Sequence, residues 1–320
     1  MTYQFRALAD QAMADGAITS DEILALRRGG WSDGRIEPAE AEALFVLNDR
    51  LAVRTTEWVD FFVEALVEFL LAGNAPRGFI SEAQTDWLIA RIDRDGSIDT
   101  MAELDLLAKL FDKAERIPDR LKSYALGQME QIVLTGNGPT RDGGSVDGAR
   151  ITDTECRFLR RFLFSFAGNG PGAVSQVEAE LLFRIKDATL GAPNSAEWSK
   201  LFVQGVANHL MAWQAFHPLS EERATALDAF MSDNTPRIGA FFGRMAKADI
   251  ASGASRVLGF GCKGAVPADK YGAEHDAEVG AARTVTETED AWLQGQIDGD
   301  RALDDLETAL LRFIAEEERR

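Results

Sequence analysis

Apolar residues along this chain recur at steps of three and four, in short runs bracketed by turn residues. Trp58, Phe61, Phe62, Ala65, Leu66, Phe69 and Leu70 form one broad stripe with Asp60, Glu64 and Glu68 between them. That is the 3.6-residue signature of a helix with one face toward a core. Leu104, Leu107, Ala108, Leu110 and Phe111 repeat it after Asp99. No segment shows sustained period-two alternation bounded by hairpin turns. The pattern predicts an all-α protein of short helices joined by tight Asp-Gly and Gly-rich turns.

The stripes begin in a common way. An aliphatic residue is followed by Ser, Thr, Asp or Glu, with Glu or Gln three positions later. The instances are Thr19 with Glu22, Glu37 with Glu40, Ser81 with Gln84, Thr152 with Glu155, Ser175 with Glu178, Thr286 with Glu289 and Asp304 with Glu307. This is the capping-box spacing, in which the N-cap oxygen takes the N3 amide while the N3 side chain returns to the N-cap amide. Ile18 and Ile23 stand at the hydrophobic-staple positions of the first unit. Pro38 stands at N1, where a missing amide costs nothing.

The pattern is also written twice. Residues 18–28 return as 151–161, 36–49 as 174–187, 57–70 as 197–210 and 81–99 as 286–304, with 24 identities in 58 ungapped positions. Unrelated segments would match at only a few, so the chain reads as an internal duplication. The division this predicts is a first helical repeat domain over 1–140 and a second over 141–320. Ser81 follows Leu70 by 11 residues, whereas Thr286 follows Leu210 by 76. The second copy therefore carries an inserted segment over about 212–283, and long insertions carry function more often than frameworks do. Four of the six tryptophans fall at equivalent positions, Trp58 with Trp198 and Trp87 with Trp292. On apolar stripes they read as core, each needing one partner for its indole N-H.

Composition refines this picture. With 46% apolar and 27% charged residues, there is ample material for a buried core. The first residues lack the basic start and apolar run of a secretion signal. Phe61 to Ala72 is too short to cross a bilayer and is broken by Glu64 and Glu68. Two cysteines make no disulfide framework, and the expected setting is cytoplasmic, with no membrane span. A formal charge of −18 weighs against direct nucleic-acid binding, whose affinity comes from clustered Lys and Arg. The acid is spread through both copies, which fits solvated helix surfaces better than imitation of DNA.

The phrase Asp-Gly-x-Ile-x-x-x-Glu, in Asp15-Gly16-Ala17-Ile18 to Glu22 and Asp33-Gly34-Arg35-Ile36 to Glu40, resembles the helical units of TerB-like tellurite-resistance proteins. The resemblance covers the helix-start phrases and the helices after them. It implies a compact α-helical bundle of two related halves, associated with metal and other stress responses, with acidic, cation-binding surfaces. This chain is longer than that family. It has an extra residue in Asp147-Gly148-Ala149-Arg150-Ile151, and Arg77 where an Asp would stand.

One constellation invites cation chemistry. Asp93, Asp95 and Asp99 recur as Asp298, Asp300 and Asp304, three carboxylates at a loop-to-helix junction, the donor type that Ca²⁺ or Mg²⁺ takes. An EF-hand register fails. Gly96 at its sixth position puts Arg91 first and Ala102 twelfth, with no bidentate glutamate, and Arg301 replaces the glycine in the second copy. The other reading makes Asp99 and Asp304 helix N-caps, with the earlier aspartates favouring the positive end of the helix dipole.

Enzyme signatures are weak. Gly259 to Val266 satisfies the letters of a glycine-rich phosphate loop without a βαβ unit around it or kinase phrases after it. His209, His217 and His275 are too scattered for a zinc site, and His209 stands where the first copy has Phe69. Cys156 reads as core, and Cys262, between glycine and lysine, as an exposed and activated thiol. The leading expectation is a non-enzymatic acidic scaffold that binds a protein partner and responds to divalent cations. The alternative is an enzyme or small-molecule binder that uses the 212–283 insertion.

Overall fold

The computed structural model describes residues 16–30, 35–73, 76–93, 96–141, 149–165, 173–212, 285–297 and 303–317, with residues 5, 7, 9–11 and 167 beside them. Within these residues the fold is all-α. Its helices are α1 (Ser20–Gly30), α2 (Pro38–Arg50), α3 (Thr56–Ala72), α4 (Glu82–Ile92), α5 (Met101–Lys113), α6 (Asp119–Thr135), α7 (Asp153–Leu163), α8 (Gln176–Ala188), α9 (Ala196–Ala212), α10 (Glu287–Ile297) and α11 (Asp305–Glu317). A 3₁₀ turn, Pro139–Arg141, follows α6. An isolated bridge between Phe79 and Arg116 is the β-type pairing among the described residues. No helix among them is long and apolar enough to cross a membrane.

The capping chemistry places the helix starts. All seven predicted boxes form: those at Thr19, Glu37, Ser81, Thr152, Ser175, Thr286 and Asp304. An eighth, Thr100 with Glu103, opens α5. Each satisfies amides that the first turn leaves without helical partners, worth about 1 kcal/mol per cap. At the other end of α6, Gly136 adopts φ 69° as a left-handed C-cap, and its amide donates to the Ile132 carbonyl. A side chain there would be strained.

Helix lengths recur in order. α1 to α5 have 11, 13, 17, 11 and 13 residues, and α7 to α11 have 11, 13, 17, 11 and 13. Packing recurs as well: α3 packs on α1, α2 and α5, and α9 packs on α7, α8 and α11. The aromatic seams match ring for ring. Phe45 meets Phe62 and Trp87 edge-on at 5.3 and 5.6 Å, and Phe183 meets Phe202 and Trp292 at 5.2 and 6.0 Å. Phe69 closes on Trp87 at 5.3 Å, and His209 takes that place against Trp292 at 4.9 Å. The tryptophans are core as predicted: Trp58 and Trp198 are fully buried, and Trp87 and Trp292 pack against the core from its edge. One divergence is steric. Gly205 of α9 stands where α3 has Ala65, and a β-carbon there would lie 2.4 Å from Leu182 Cδ1, so the glycine permits the close approach of α9 to α8.

Between the two sets lies α6, which packs on α4, α7 and α8, while α5 packs directly on α7. Buried residues of both sets, from Phe5 to Ile314, belong to one continuous hydrophobic cluster. Two buried ion pairs sit on this seam. Lys122 of α6 pairs with Glu178 of α8, and Arg141 of the 3₁₀ turn pairs with Glu155 of α7 at 2.7 Å.

Candidate functional site

Two features gather polar chemistry: the buried N3 glutamates, and a pair of interhelical grooves at equivalent places in the recurring pattern.

The capping glutamates are more than caps. Glu155, Glu178 and Glu307 are buried, and each is met by a cation from elsewhere in the fold: Arg141, Lys122 and Lys186. The Lys186 ammonium is 1% exposed and lies 2.6 Å from Glu307 Oε1, 2.7 Å from Asp304 Oδ2 and 2.8 Å from Asp187 Oδ1. Burial alone would pull its pKa down, but the three carboxylates outweigh that and hold it above the ordinary lysine range. Asp304 also caps α11, its Oδ1 accepting the Leu306 and Glu307 amides at 2.8 Å.

The first set builds the same node with no cation paired to its glutamate among the described residues. Asn48 stands where Lys186 does. The stretch between α4 and α5 is one residue longer than that between α10 and α11, so Thr100, and not Asp99 as the sequence pairing had it, stands where Asp304 does, and Glu103 where Glu307 does. Asn48 Nδ2 donates to Thr100 Oγ1 at 3.3 Å, and its Oδ1 accepts from Trp58 Nε1 at 3.1 Å and Arg54 Nε at 3.3 Å. Glu103 is 2% exposed and accepts the Thr100 amide at 2.9 Å. Burial pushes its pKa up to about 7, against the Thr100 hydrogen bonds and with the added repulsion of Asp49 and Asp99. The exchange has a cost in the second set. Lys186 has no acceptor to replace the Asn48 carbonyl, and Trp198 Nε1 is buried with no hydrogen-bond partner among the described residues.

The larger groove, about 650 Å³, runs between α3 and α5 with Arg161 of α7 at its edge. Its floor is the ladder Val59, Val63, Val67 and Leu71, spaced four apart on α3. Along the α3 rim stand Asp60, Glu64 and Glu68, and along the α5 rim Asp105, Lys109 and Lys113. Glu64 pairs with Arg27 of α1 at 2.6 Å, and Arg161 pairs with Asp112 at 2.7 Å. Lys109 and Lys113 form no ion pair among the described residues. Burial raises the Asp105 pKa, Arg161 opposing it and Asp60 reinforcing it.

The second groove, about 380 Å³, lies between α7, α9 and α11. Position for position, Gln204 replaces Glu64, Asn208 replaces Glu68, Ala207 replaces Val67, Met211 replaces Leu71 and Phe313 replaces Lys109. The Arg27–Glu64 ion pair becomes a 2.7 Å hydrogen bond from Arg160 to Gln204. One groove thus has charged residues of both signs along its rims, and the other keeps Arg160 as its one charged lining residue.

The predicted cation ligands are placed only in part. Asp93 is the C-cap of α4, its amide donating to Ile89 O at 2.7 Å, and its Oδ1 is buried without a hydrogen-bond partner among the described residues. Asp99 is exposed, one residue before the true N-cap, Thr100. The Thr100 hydroxyl, rather than the Asp99 carboxylate, reaches the Glu103 amide. Asp304 is the cap already described. Asp95, Asp298 and Asp300 lie outside the described residues, as do Cys262, His217, His275 and Gly259 to Gly264. Among the described residues no group of three or more His, Cys, Asp or Glu is arranged to hold a metal ion. Cys156 is buried, and burial pushes its thiol up to about 11. His209 is buried with Nδ1 3.2 Å from the Val174 carbonyl, and burial lowers its pKa.

The grooves and the buried glutamate nodes escape a reading of the sequence because their members come from helices far apart in the chain. The identical spacing of Glu64, Glu68 and Gln204, Asn208 was the available signal. No family model matches this chain, and no curated protein or solved structure matches it.

Proposed function

We propose that this chain is a non-enzymatic, acidic helical scaffold, TerB-like in kind, that binds another protein through the groove between α3 and α5. It arose by duplication of a five-helix unit, and the second unit gained the insertion over 212–283. The recurrence of helix lengths and aromatic seams supports the duplication. The groove carries the binding reading: an open apolar ladder with charged rims is the surface that a partner helix uses when it lays its own ridge into a groove. Val67→Asp puts a charge on that floor at a half-buried position. The variant should keep its helical circular-dichroism spectrum and lose the protein partners that the wild-type chain retains in affinity capture. Met211→Asp, at a half-buried position in the second groove, should keep them. Equal retention by Val67→Asp and wild type would remove the α3/α5 groove from the function.

The scaffold also responds to divalent cations, through Asp93, Asp95 and Asp99 and through Asp298, Asp300 and Asp304. Carboxylate oxygens are the donors Ca²⁺ and Mg²⁺ take, and the buried Asp93 Oδ1, with no hydrogen-bond partner among the described residues, supports this reading. Millimolar Ca²⁺ or Mg²⁺ at a hundredfold excess over the dissociation constant should stabilise the fold by about 2.7 kcal/mol relative to chelator. Asp95→Asn/Asp300→Asn should abolish that gain. A melting profile that ignores both cations would return these aspartates to helix-end roles.

A further inference from the structure

We infer that the α3/α5 groove takes a partner helix with two differently charged edges, Lys or Arg along the edge facing α3 and Asp or Glu along the edge facing α5; this rests on the groove being the docking surface proposed above. The rims are opposite in sign along most of their length. Glu64 and Glu68 on α3 stand across from Lys109 and Lys113 on α5, each pair spaced four residues apart, and the apolar ladder lies between them. Successive side chains four apart present one face of a helix, so the rims are two straight charged rows about a turn apart per charge. A ligand helix with the same i, i+4 spacing would set one charge against each rim charge while its apolar ridge fills the floor.

The internal comparison separates this arrangement from ordinary surface solvation. In the second groove the same α9 positions carry Gln204, the isosteric amide of a glutamate, and Asn208, a shorter amide, and Phe313 stands where Lys109 does. Glu64, Glu68 and Lys109 are each replaced there by an uncharged residue, while Arg160 keeps the place of Arg27. Charges kept only for solubility have no reason to be retained or removed as facing pairs. The two Lys109 and Lys113 ammoniums, exposed and free of ion pairs among the described residues, remain open to carboxylates from outside. Complementary rims select among partners by rejecting like charge as much as by attracting opposite charge. The second groove, whose one charged lining residue is Arg160, lacks the facing Glu and Lys rows that would make that selection.

Three synthetic helical peptides sharing one leucine ridge test the inference: one with Lys along one edge and Glu along the other, one with Lys on both edges, and one with Glu on both. Binding to the full chain is read by fluorescence anisotropy at low and at physiological salt. The mixed-edge peptide should bind best at physiological salt, where the general attraction of an acidic protein for the all-Lys peptide is screened. Lys109→Glu/Lys113→Glu makes both rims acidic. It should weaken the mixed-edge peptide on the order of tenfold and transfer the preference to the all-Lys peptide. An unchanged order of preference in that variant would overturn the two-edge assignment while leaving helix docking in place. Failure of all three peptides to bind the wild-type chain would overturn the docking reading itself. A wild-type dimer that the same double variant dissociates, with no peptide bound, would give the groove to a second copy and also overturn the proposal.

Discussion

Asn48 and Lys186 occupy the same place in two matching sets of helices, and each is the hub of a buried polar node. Asn48 joins Trp58, Arg54 and Thr100 by hydrogen bonds. Lys186 instead joins Asp187, Asp304 and Glu307 by charge. One replacement thus divides the two nodes: in the first Glu103 is buried with no ion pair among the described residues, and in the second the Trp198 N-H has no acceptor among them.

Glu103 makes the first node sensitive to pH. Its pKa is about 7 in the fold against an ordinary 4.5, so between those values the folded state holds a proton that the unfolded state has released. Stability from this group is full below about pH 4.5 and falls as pH rises through about 7, by roughly 3 kcal/mol in all. Glu103→Gln removes the titration and keeps the cap, since Gln84 fills the N3 role at the start of α4. Urea unfolding at pH 5.5 and 8 should show the variant more stable than wild type at pH 8, with the difference shrinking toward acid. Asn48→Lys/Arg54→Asn, which installs the second node's chemistry, should flatten the same profile.

Lys186 should be among the costliest single side chains to remove. Lys186→Met leaves the buried Glu307 and the half-buried Asp304 without their cation, and loss of one partner of a buried pair costs about 3–5 kcal/mol. Chemical denaturation at pH 7 measures it. The deficit should narrow toward pH 4, where the stranded carboxylates take up protons. A loss under 1 kcal/mol at pH 7 would show that the node is solvated.

The two buried tryptophans should respond unequally to Phe. Trp58→Phe strips a donor from the Asn48 carbonyl, whereas Trp198→Phe removes an N-H with no partner among the described residues. Both lose similar packing, so the hydrogen-bond difference, about 1 kcal/mol, should appear as the greater destabilisation of Trp58→Phe. Parallel urea melts of the two variants decide it.

Cys156 should be inert in the native state. Its thiol is buried and titrates at about 11, so almost none is thiolate at pH 8. Of the two cysteines in the chain, a thiol reagent should reach at most one before denaturation and both after it. Two fast native thiols would contradict this packing.

Helix starts, the all-α class, the recurrence of the pattern and the aromatic core were determined by the sequence alone, because a capping box spans four residues and an amphipathic stripe a few turns. The one slip at that level was a single residue: Thr100 rather than Asp99 caps α5, since the Thr hydroxyl satisfies the N3 amide from a position whose side chain is also buried. Only the tertiary structure decided what the N3 glutamates meet. The spacing from Ser, Thr or Asp to Glu is the same for Glu103 and Glu307, yet one is desolvated with no ion pair among the described residues and the other meets Lys186, 121 residues away. It also decided that Glu64 and Glu68 face Lys109 and Lys113 across an apolar floor while Gln204 and Asn208 line a groove whose one charged lining residue is Arg160. Capping is local, whereas desolvation and charge pairing depend on which distant helix lies alongside.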